Sequence, residues 1–185
     1  MTEAPDEDLV ERCLDGDHAA FATLLRRYQE PIYNAAYRVL GRAEDAADIT
    51  QVVFLKLAER LDEYDPRYKF FSWIYRIAVN ESLNLLRRNG REGPLEDEDE
   101  RPGPESANPE WQASEKQISG KIQKALMGMK FNDRAVLTLR HFSDCSYEEI
   151  AQIMEIDAKT VKSRLFDARQ RLRELLVELR PKMTP

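Results

Sequence analysis

Residues 89–118 divide the chain and constrain its fold more than any other feature. This segment concentrates glycine, proline and acidic side chains and carries few apolar ones, so it buries too little surface to offset the entropy of ordering. We therefore predict a flexible acidic linker between two domains, 1–88 and 119–185. The composition leaves open whether the linker is an inert tether or whether its charge has a function. A chain of 185 residues with 42% hydrophobic content has room for two small domains, but not for two large cores.

The hydrophobic pattern on both sides of the linker is helical. Apolar residues recur at three-and-four spacing, and no segment alternates cleanly between apolar and polar side chains, so the fold class is all-α. Asp17 is a cap for a helix that ends at Gly41, and Pro31 is expected to open or kink the second part of that helix. The other predicted helices are 43–61, 70–88, and, in the second domain, segments near 116–128, 132–142, 147–154 and 158–179.

The charge of the chain is distributed unevenly along its length. The net charge is −6, with 12 basic and 16 acidic side chains in residues 1–88, 3 and 9 in residues 89–118, and 13 and 9 in residues 119–185. Because the local field rather than the total charge steers association, only parts of the surface are expected to meet a polyanion.

Several functional classes are excluded by what the sequence lacks. Apolar runs such as 74–79 are far shorter than the roughly 20 residues of a membrane span, and the acidic N-terminus does not resemble a secretory signal. We therefore expect a cytoplasmic protein without membrane insertion. Cys13, Cys145, His18 and His141 have no partners at the spacing of metal ligands or of a nucleophile and its base. We expect no metal, no cofactor and no catalytic residue, and hence no enzyme.

Residues 146–165 carry the pattern of a helix-turn-helix. Ser146 and Glu149 form a capping box at the start of a short helix. Glu155 lies in the turn, where such motifs favour glycine, so a left-handed backbone there carries strain. Asp157 then caps a second helix.

The second of these helices has an apolar inner face and a basic outer face. Val161 and Leu165 point inward, which suits a recognition helix in the DNA major groove whose outward side chains contact base edges and phosphates. The alternative is a basic solvated helix that closes an ordinary bundle. The outward residues are Lys159, Thr160, Lys162, Ser163, Arg164 and Arg169.

The helix over 43–61 has a broad core face and a mixed patch opposite to it. The core face consists of Ala46, Ile49, Val53, Phe54, Leu57 and Leu61, and the patch of Asp48, Gln51, Val52, Leu55 and Glu59. Aliphatic side chains surrounded by polar ones are typical of a docking surface. The alternative, in which Val52 and Leu55 pack against a neighbouring helix of the same domain, is equally compatible with this pattern.

Aromatic and cationic side chains alternate between residues 64 and 76. Such a mixture can stack unpaired bases and hold the phosphates of a single strand, although we expect only two or three of the aromatics to do so and the rest to lie in the core. The following helix adds amides and cations at three-and-four spacing, with a solvated helix face as the alternative. The candidate residues are Lys69, Phe71, Trp73, Arg76, Asn80, Asn84, Arg87 and Arg88.

Three segments in this order resemble the extracytoplasmic-function sigma factors of bacterial RNA polymerase over nearly the whole chain. Residues 45–56 and 70–80 resemble parts of sigma region two, and residues 146–172 resemble region four. The resemblance implies that 45–56 docks on the clamp of core RNA polymerase, formed by its beta and beta-prime subunits. It also implies that 65–80 opens promoter DNA and captures the minus-ten element.

The resemblance further implies that 158–170 reads the minus-thirty-five element and that an anti-sigma factor, often membrane-bound, regulates the protein. Ala47 and Val52 stand where the family usually has acidic residues, Asn84 replaces a common aspartate, and Glu155 replaces a common glycine.

Two other functions fit the same patterns. A stand-alone helix-turn-helix regulator would use residues 1–88 to bind a ligand or to dimerise, and would bind a palindromic operator without polymerase. A helical interaction module would use its basic helix to bind an acidic protein.

Overall fold

A computed structural model describes residues 4–90 and 119–179, here called the N-terminal half and the C-terminal half. Every regular element within these two ranges is helical, which confirms the all-α prediction. The N-terminal half contains α1 (Asp6–Leu14), α2 (His18–Leu40), α3 (Ala43–Arg60), a 3-10 turn (Leu61–Glu63) and α4 (Phe70–Arg88). The C-terminal half contains α5 (119–127), α6 (Phe131–His141), α7 (Tyr147–Met154) and α8 (Ala158–Glu178). The predicted linker lies outside the described residues except for Asn89 and Gly90.

Helix α1 was not predicted. It carries acidic side chains in its first turn, where they interact favourably with the helix dipole. Leu9 and Val10 are buried against the rest of the N-terminal half. Asp6 accepts hydrogen bonds from the side chains of Arg27 and Tyr28 on α2. Two apolar side chains and one carboxylate therefore attach α1 to the bundle.

Helix α2 begins and ends as predicted but is not divided by proline. The carboxylate of Asp17 accepts hydrogen bonds from the backbone N–H groups of Ala19, at 2.9 Å, and Ala20, at 3.2 Å. Gly41 ends the helix in the left-handed conformation, with φ 79°. Pro31 lies inside one continuous helix, so the expectation that it opens a separate helix is wrong, and the expectation of a kink stays a prediction. Its ring is exposed, and burial of the residues around it holds the helix together.

The N-terminal half is a helical bundle in which α3 packs against α2 and α4. All six residues of the predicted core face of α3 are buried. They meet the apolar sides of α2 and α4, which contribute Leu24, Ile32 and Ile74, all without solvent exposure. Burial of a large aliphatic side chain stabilises a fold by roughly 1.5–3 kcal/mol.

In the C-terminal half, α6 and α7 pack against α8. Val161 and Leu165 are fully buried, as predicted, together with Ile150 and Ile153 of α7. Arg134 of α6 is also fully buried, and its guanidinium donates a 3.2 Å hydrogen bond to the Met129 carbonyl. Burial lowers the pKa of Arg134 to about 10.

The two halves are in direct contact. Helix α4 packs against α7, and α2 packs against α6, so the buried apolar residues of both halves form one continuous core. The side chain of Gln123 donates a 3.1 Å hydrogen bond to the Tyr37 carbonyl. Gly41 lies so close to Met127 that a Cβ atom at position 41 would be 2.4 Å from its sulfur atom. No sequence pattern indicated this contact.

Candidate nucleic-acid interface

The helix-turn-helix begins with the predicted capping box. The Ser146 hydroxyl accepts a 3.1 Å hydrogen bond from the backbone N–H of Glu149, and the Glu149 carboxylate accepts a 2.7 Å hydrogen bond from the backbone N–H of Ser146. Two otherwise unpaired N–H groups at the start of α7 are thereby satisfied. The cap fixes where α7 starts.

The turn between α7 and α8 has the strained geometry that the sequence predicts. Glu155 adopts the left-handed conformation, with φ 54° and ψ 44°, at a cost of roughly 1–2 kcal/mol for a residue that is not glycine. The Asp157 carboxylate accepts hydrogen bonds from the hydroxyl group of Thr160, at 2.7 Å, and from its backbone N–H, at 2.8 Å. These bonds lower the pKa of Asp157 below its usual value. Together they set the direction in which α8 leaves the turn.

The start of α8 presents a polar, cationic surface. Lys159, Lys162 and Ser163 are exposed, whereas Thr160, Arg164 and Arg169 are half-buried. Thr160 is occupied by the cap. The guanidinium of Arg169 donates a 3.2 Å hydrogen bond to Nε2 of His141. The six predicted residues therefore lie together on one surface, with the two lysines and the serine outermost.

Arg164 is close enough to Asp133 of α6 to affect the pKa of that carboxyl. Burial raises the pKa of Asp133 on α6, and the positive charges of Arg164 and Lys130 oppose that rise. Arg164 is thus oriented partly toward α6 rather than wholly toward solvent.

Sequence reasoning missed Phe166. Its side chain is 72% exposed and follows Lys162 and Ser163 by four and three residues, which places all three on one side of α8. The available signal was that Phe166 falls outside the inward stripe of Val161 and Leu165. An exposed aromatic ring on a helix that enters the major groove can contact the methyl group of thymine.

The outer patch of α3 is accessible. Asp48, Gln51 and Glu59 are exposed, Val52 is half-buried, and Leu55 is 63% exposed. The alternative in which Leu55 packs against a neighbouring helix is therefore wrong. A groove of about 600 Å³ runs between α2 and α3 beside this patch and is lined in part by Tyr33, Thr50 and Gln51.

The aromatic residues before and within α4 divide between core and surface. Phe70 and Tyr75 are buried. Trp73 is half-buried, with its ring 5.7 Å from that of Tyr64 and 6.0 Å from that of Phe70. Phe71 lies on another side of the helix, where its ring is 4.3 Å from that of Tyr75. Of the two predicted aromatic contacts, Trp73 therefore shares the outward side of α4 and Phe71 does not.

The polar face of α4 is continuous. Arg76 is half-buried near its N-terminal end. The residues exposed along it are Asn80, Asn84, Arg87 and Arg88. The three-and-four spacing predicted from the sequence thus produces one surface. It extends from Trp73 to the end of the helix.

Two cations of this surface are paired with acids of the C-terminal half. Nζ of Lys69 lies 2.7 Å from a carboxylate oxygen of Glu149, and this hydrogen bond raises the pKa of Lys69. Nη1 of Arg76 lies 3.5 Å from a carboxylate oxygen of Glu155. These pairs join the predicted minus-ten surface to the helix-turn-helix.

Neither a metal centre nor a transmembrane helix is found in residues 4–90 and 119–179. No group of three or more histidine, cysteine, aspartate or glutamate side chains is placed to hold a metal ion there. None of the helices in these ranges has the length and hydropathy needed to cross a membrane. Cys13 and Cys145 are free thiols.

Comparison with known families identifies both halves. The family model of Sigma-70 region 2 matches residues 24–92, and the model of Sigma-70, region 4 matches residues 119–172. The RNA polymerase sigma-H factor of Pseudomonas aeruginosa is 32% identical, with 97% of each chain covered. The ECF RNA polymerase sigma-E factor of Escherichia coli K12 is 35% identical, with 89% of this chain and 91% of the relative covered.

Solved structures show the same fold. CnrH, in complex with the cytosolic domain of CnrY, has a TM-score of 0.70 at 22% identity, with 94% of this chain and 98% of that chain covered. The sigma factor RpoE of Bartonella quintana, in complex with the anti-sigma factor NepR, has a TM-score of 0.68 at 23% identity, with 87% and 98% covered. With two relatives above 30% identity over most of their length, the chain belongs to the extracytoplasmic-function sigma factors, which direct bacterial RNA polymerase to its promoters.

Proposed function

We propose that three surfaces of the chain each make one of the contacts needed for promoter-specific initiation. The patch on α3 binds core RNA polymerase at its beta and beta-prime subunits. The outer side of α4 captures the minus-ten element as a single strand. The exposed start of α8 reads the minus-thirty-five element as a duplex.

The observation that carries this proposal is the geometry of the helix-turn-helix. The turn at Glu155 and the cap at Asp157 direct α8 so that its basic N-terminal turns lie outside the core. In a recognition helix, residues in the first turns reach base edges and cations hold phosphates. Lys159 and Lys162 can contact phosphates or guanine, and Ser163 can bond to any base edge.

Capture of the minus-ten strand requires a surface that accepts unstacked bases. Trp73 is half-buried, so part of its side chain reaches solvent, and stacking on an aromatic side chain stabilises a bound base by roughly 1–3 kcal/mol. Asn80 and Asn84 supply amide groups for hydrogen bonds to bases. Arg87 and Arg88 supply charge for the phosphates. Together these groups would favour the open strand over the closed duplex.

Binding to polymerase makes up for weak intrinsic DNA affinity. The chain carries a net charge of −6, so the free protein should bind DNA weakly and with strong salt dependence. The exposed Leu55, surrounded by polar side chains, suits a docking contact. Specific promoter binding would then arise only in the polymerase complex. The chain would supply no catalytic group of its own and would act in the cytoplasm, where the polymerase is.

The proposed domains are residues 1–88 and 119–185, with residues 89–118 as the acidic linker. The two promoter elements are about two and a half helical turns apart, or roughly 85 Å at about 34 Å per turn. A linker of this length reaches about 100 Å when fully extended and roughly 30 Å as a coil. Binding to both elements at once would therefore need a stretched linker.

Regulation by an anti-sigma factor belongs to the same proposal. The solved structure of RpoE contains the anti-sigma factor NepR, and that of CnrH contains the cytosolic domain of CnrY. We propose that a comparable anti-sigma factor binds this chain and keeps it away from polymerase until a signal releases it. The family resemblance implies that such an anti-sigma factor is often membrane-bound.

Run-off transcription with purified core polymerase tests the proposal. The wild-type chain should co-purify with core polymerase and direct it to start sites that core polymerase alone does not use. Lys159→Ala with Lys162→Ala should lower transcription from a promoter with a minus-thirty-five element by about tenfold or more. Arg171→Ala with Arg173→Ala removes the same charge from the far end of α8 and should leave transcription close to wild type.

A second variant tests the downstream surface. Asn80→Ala should impair use of the minus-ten element while leaving binding to core polymerase intact. If core polymerase does not bind the chain, or starts RNA at the same positions without it, the proposal is wrong. Nanomolar binding to a palindromic duplex in the absence of polymerase would instead support a stand-alone regulator.

A further inference from the structure

The ion pairs between the halves involve two cations that the sequence predicts to contact the minus-ten element. Lys69 and Arg76 flank the aromatic part of the minus-ten surface, and their partners Glu149 and Glu155 belong to the helix-turn-helix. The same cations cannot hold DNA phosphates and these carboxylates simultaneously. We infer that Glu149 and Glu155 form an intramolecular latch that occupies the minus-ten surface in the free chain and is displaced when polymerase and promoter DNA bind. This inference rests on the proposed function of α4.

The two pairs match each other in spacing. Glu149 lies in α7 and Glu155 directly follows that helix, whereas Lys69 directly precedes α4 and Arg76 lies in it. The two acids are six residues apart and the two cations are seven residues apart, so the separations are similar. Helix α7 can therefore lie along the first turns of α4 and form both pairs together. A single accidental contact would not produce this correspondence at both ends of α7.

Apolar contacts lie beneath the pairs. Tyr75 of α4 is 2% exposed, and Cys145, just before α7, is fully buried. Burial raises the pKa of the Tyr75 phenol, and a hydrogen bond from Ser143 opposes that rise. The Phe71 ring lies 4.3 Å from the Tyr75 ring, tilted by 34°. The latch thus has an apolar centre flanked by two ion pairs, which is the arrangement of a specific contact.

The latched state and the promoter-bound state exclude each other. In the latched state α4 touches α7, whereas the surfaces that bind the two promoter elements must be separated by roughly 85 Å. The halves must therefore come apart before both elements are bound. Because partly exposed ion pairs contribute little to stability, the latch biases the free chain toward the closed state without preventing polymerase from opening it.

The latch predicts that neutralising its two acids exposes the minus-ten surface. The test uses the full-length chain without polymerase and a short fluorescein-labelled single DNA strand of mixed sequence at low salt. Glu149→Gln with Glu155→Gln should bind the strand about 3- to 10-fold more tightly than the wild type, as measured by fluorescence anisotropy. Glutamine at position 149 still allows a capping box, so α7 is retained.

A matched control separates the latch from a general change of charge. Glu148 and Glu178 are exposed acids of the same half, with no ion pair to any of the residues in the described ranges. Glu148→Gln with Glu178→Gln removes the same charge and should leave the affinity near that of the wild type. If the latch variant binds no more tightly than this control, the inference is overturned.

Two further measurements distinguish failure of the latch from failure of the proposed function. Adding Lys69→Gln and Arg76→Gln to the latch variant should abolish its gain in affinity; a gain that persists would show that release of these two cations is not its cause and would overturn the latch. If the latch variant shows no gain while the wild type still directs core polymerase to promoters, only the latch is wrong.

The closed state itself can be observed by coupling Lys69 to Glu149 with a water-soluble carbodiimide. The reagent removes one oxygen atom from the Glu149 carboxylate and is itself converted to a urea. An amide bond then joins the Glu149 carbonyl carbon to Nζ of Lys69. Mass spectrometry should find this cross-link in the free chain and not in the complex with core polymerase and promoter DNA. A cross-link that is equally abundant in the transcribing complex would overturn the inference.

Discussion

The guanidinium carbon of Arg38 lies 3.6 Å from the centre of the Phe142 ring. Arg38 belongs to α2 and Phe142 follows α6, so this cation–π contact joins the two halves through residues other than those of the latch. Burial lowers the pKa of Arg38, but the group remains charged at neutral pH. The halves therefore hold each other through a contact that is independent of the acidic latch.

A double-mutant cycle measures this contact. Arg38→Met retains much of the apolar stem, and Phe142→Leu retains an apolar side chain without the ring. We expect a coupling of about 0.5–1 kcal/mol in the free energy of unfolding by urea, the range for exposed cation–π pairs, because Phe142 is 41% exposed. A coupling of zero would mean that the two groups do not meet in solution.

Leu55 and Leu57 provide a matched pair that separates docking from stability. Leu55 is 63% exposed, whereas Leu57, two residues along α3, is fully buried. Leu55→Asp should weaken binding to core polymerase by about tenfold or more and change the free energy of unfolding by less than about 0.5 kcal/mol. Leu57→Ala should lower that free energy by about 2–5 kcal/mol. If both variants fail in the same way, the patch on α3 is structural.

Much of the fold was predictable because local signals agreed. The cap at Asp17, the glycine at position 41, the capping box at Ser146 and the core face of α3 each follow from side-chain chemistry within one or two helical turns. The structure confirms all of them. Short-range interactions of this kind do not depend on how distant parts of the chain come together.

The sequence predicted less where the structure depends on distant contacts. Helix α1 carries few apolar residues, and its attachment through Asp6 to Arg27 and Tyr28 is a contact between residues that are far apart in the chain. The packing of α7 against α4 also joins residues that are far apart in the chain, because nothing in the pattern around Lys69 indicates Glu149 as its partner. Pro31 was expected to open or kink the second part of α2, but α2 stays one continuous helix despite one lost hydrogen bond, because residues on both sides of Pro31 are packed in the core.

The recognition surface shows the same limit on a smaller scale. The basic residues of α8 were identified from their charge, but Phe166 was not, because an aromatic residue in a helix is assigned to the core by default. Only the three-dimensional arrangement shows that it lies on the outer side of α8. The expected DNA contact of Phe71 stays a prediction, and the distance of 4.3 Å between its ring and that of Tyr75 was not visible in the sequence.

Glu155 offers a test of backbone strain. Glu155→Gly should be more stable than Glu155→Ala by about 1 kcal/mol, because glycine adopts a φ of 54° without the steric cost that alanine incurs. Both variants lose the contact with Arg76, so the difference between them reports the backbone alone. Chemical denaturation of the two proteins measures it. Equal stabilities would show that the turn relaxes to another conformation in solution.

The two cysteines should differ in reactivity. Cys145 is fully buried, and burial raises the pKa of its thiol to about 12. Burial also raises the pKa of Cys13, but this side chain remains partly exposed. In the native protein we expect Ellman's reagent to modify Cys13 slowly and Cys145 only after denaturation, since the thiolate is the reactive form. Cys13→Ser and Cys145→Ser variants assign the two signals. Rapid modification of Cys145 would contradict its burial and would indicate that the halves separate readily.

The contact between Glu149 and Lys69 should depend on pH in the acidic range. Burial raises the pKa of Glu149, but hydrogen bonds from Lys69 and the Ser146 backbone outweigh it and leave the pKa below its ordinary value of 4.5. A carboxylate with a lowered pKa in the folded state stabilises that state above its ordinary pKa, and the stabilisation is lost as the pH falls through the lowered value. The difference in unfolding free energy between the wild type and Glu149→Gln should therefore be largest near neutral pH and should decrease as the pH falls below the ordinary pKa of 4.5 and through the lowered value. Urea denaturation of both proteins across this range measures the difference. Because every other acid titrates equally in the two proteins, a difference that does not change with pH would show that Glu149 is not held as a charged partner of Lys69.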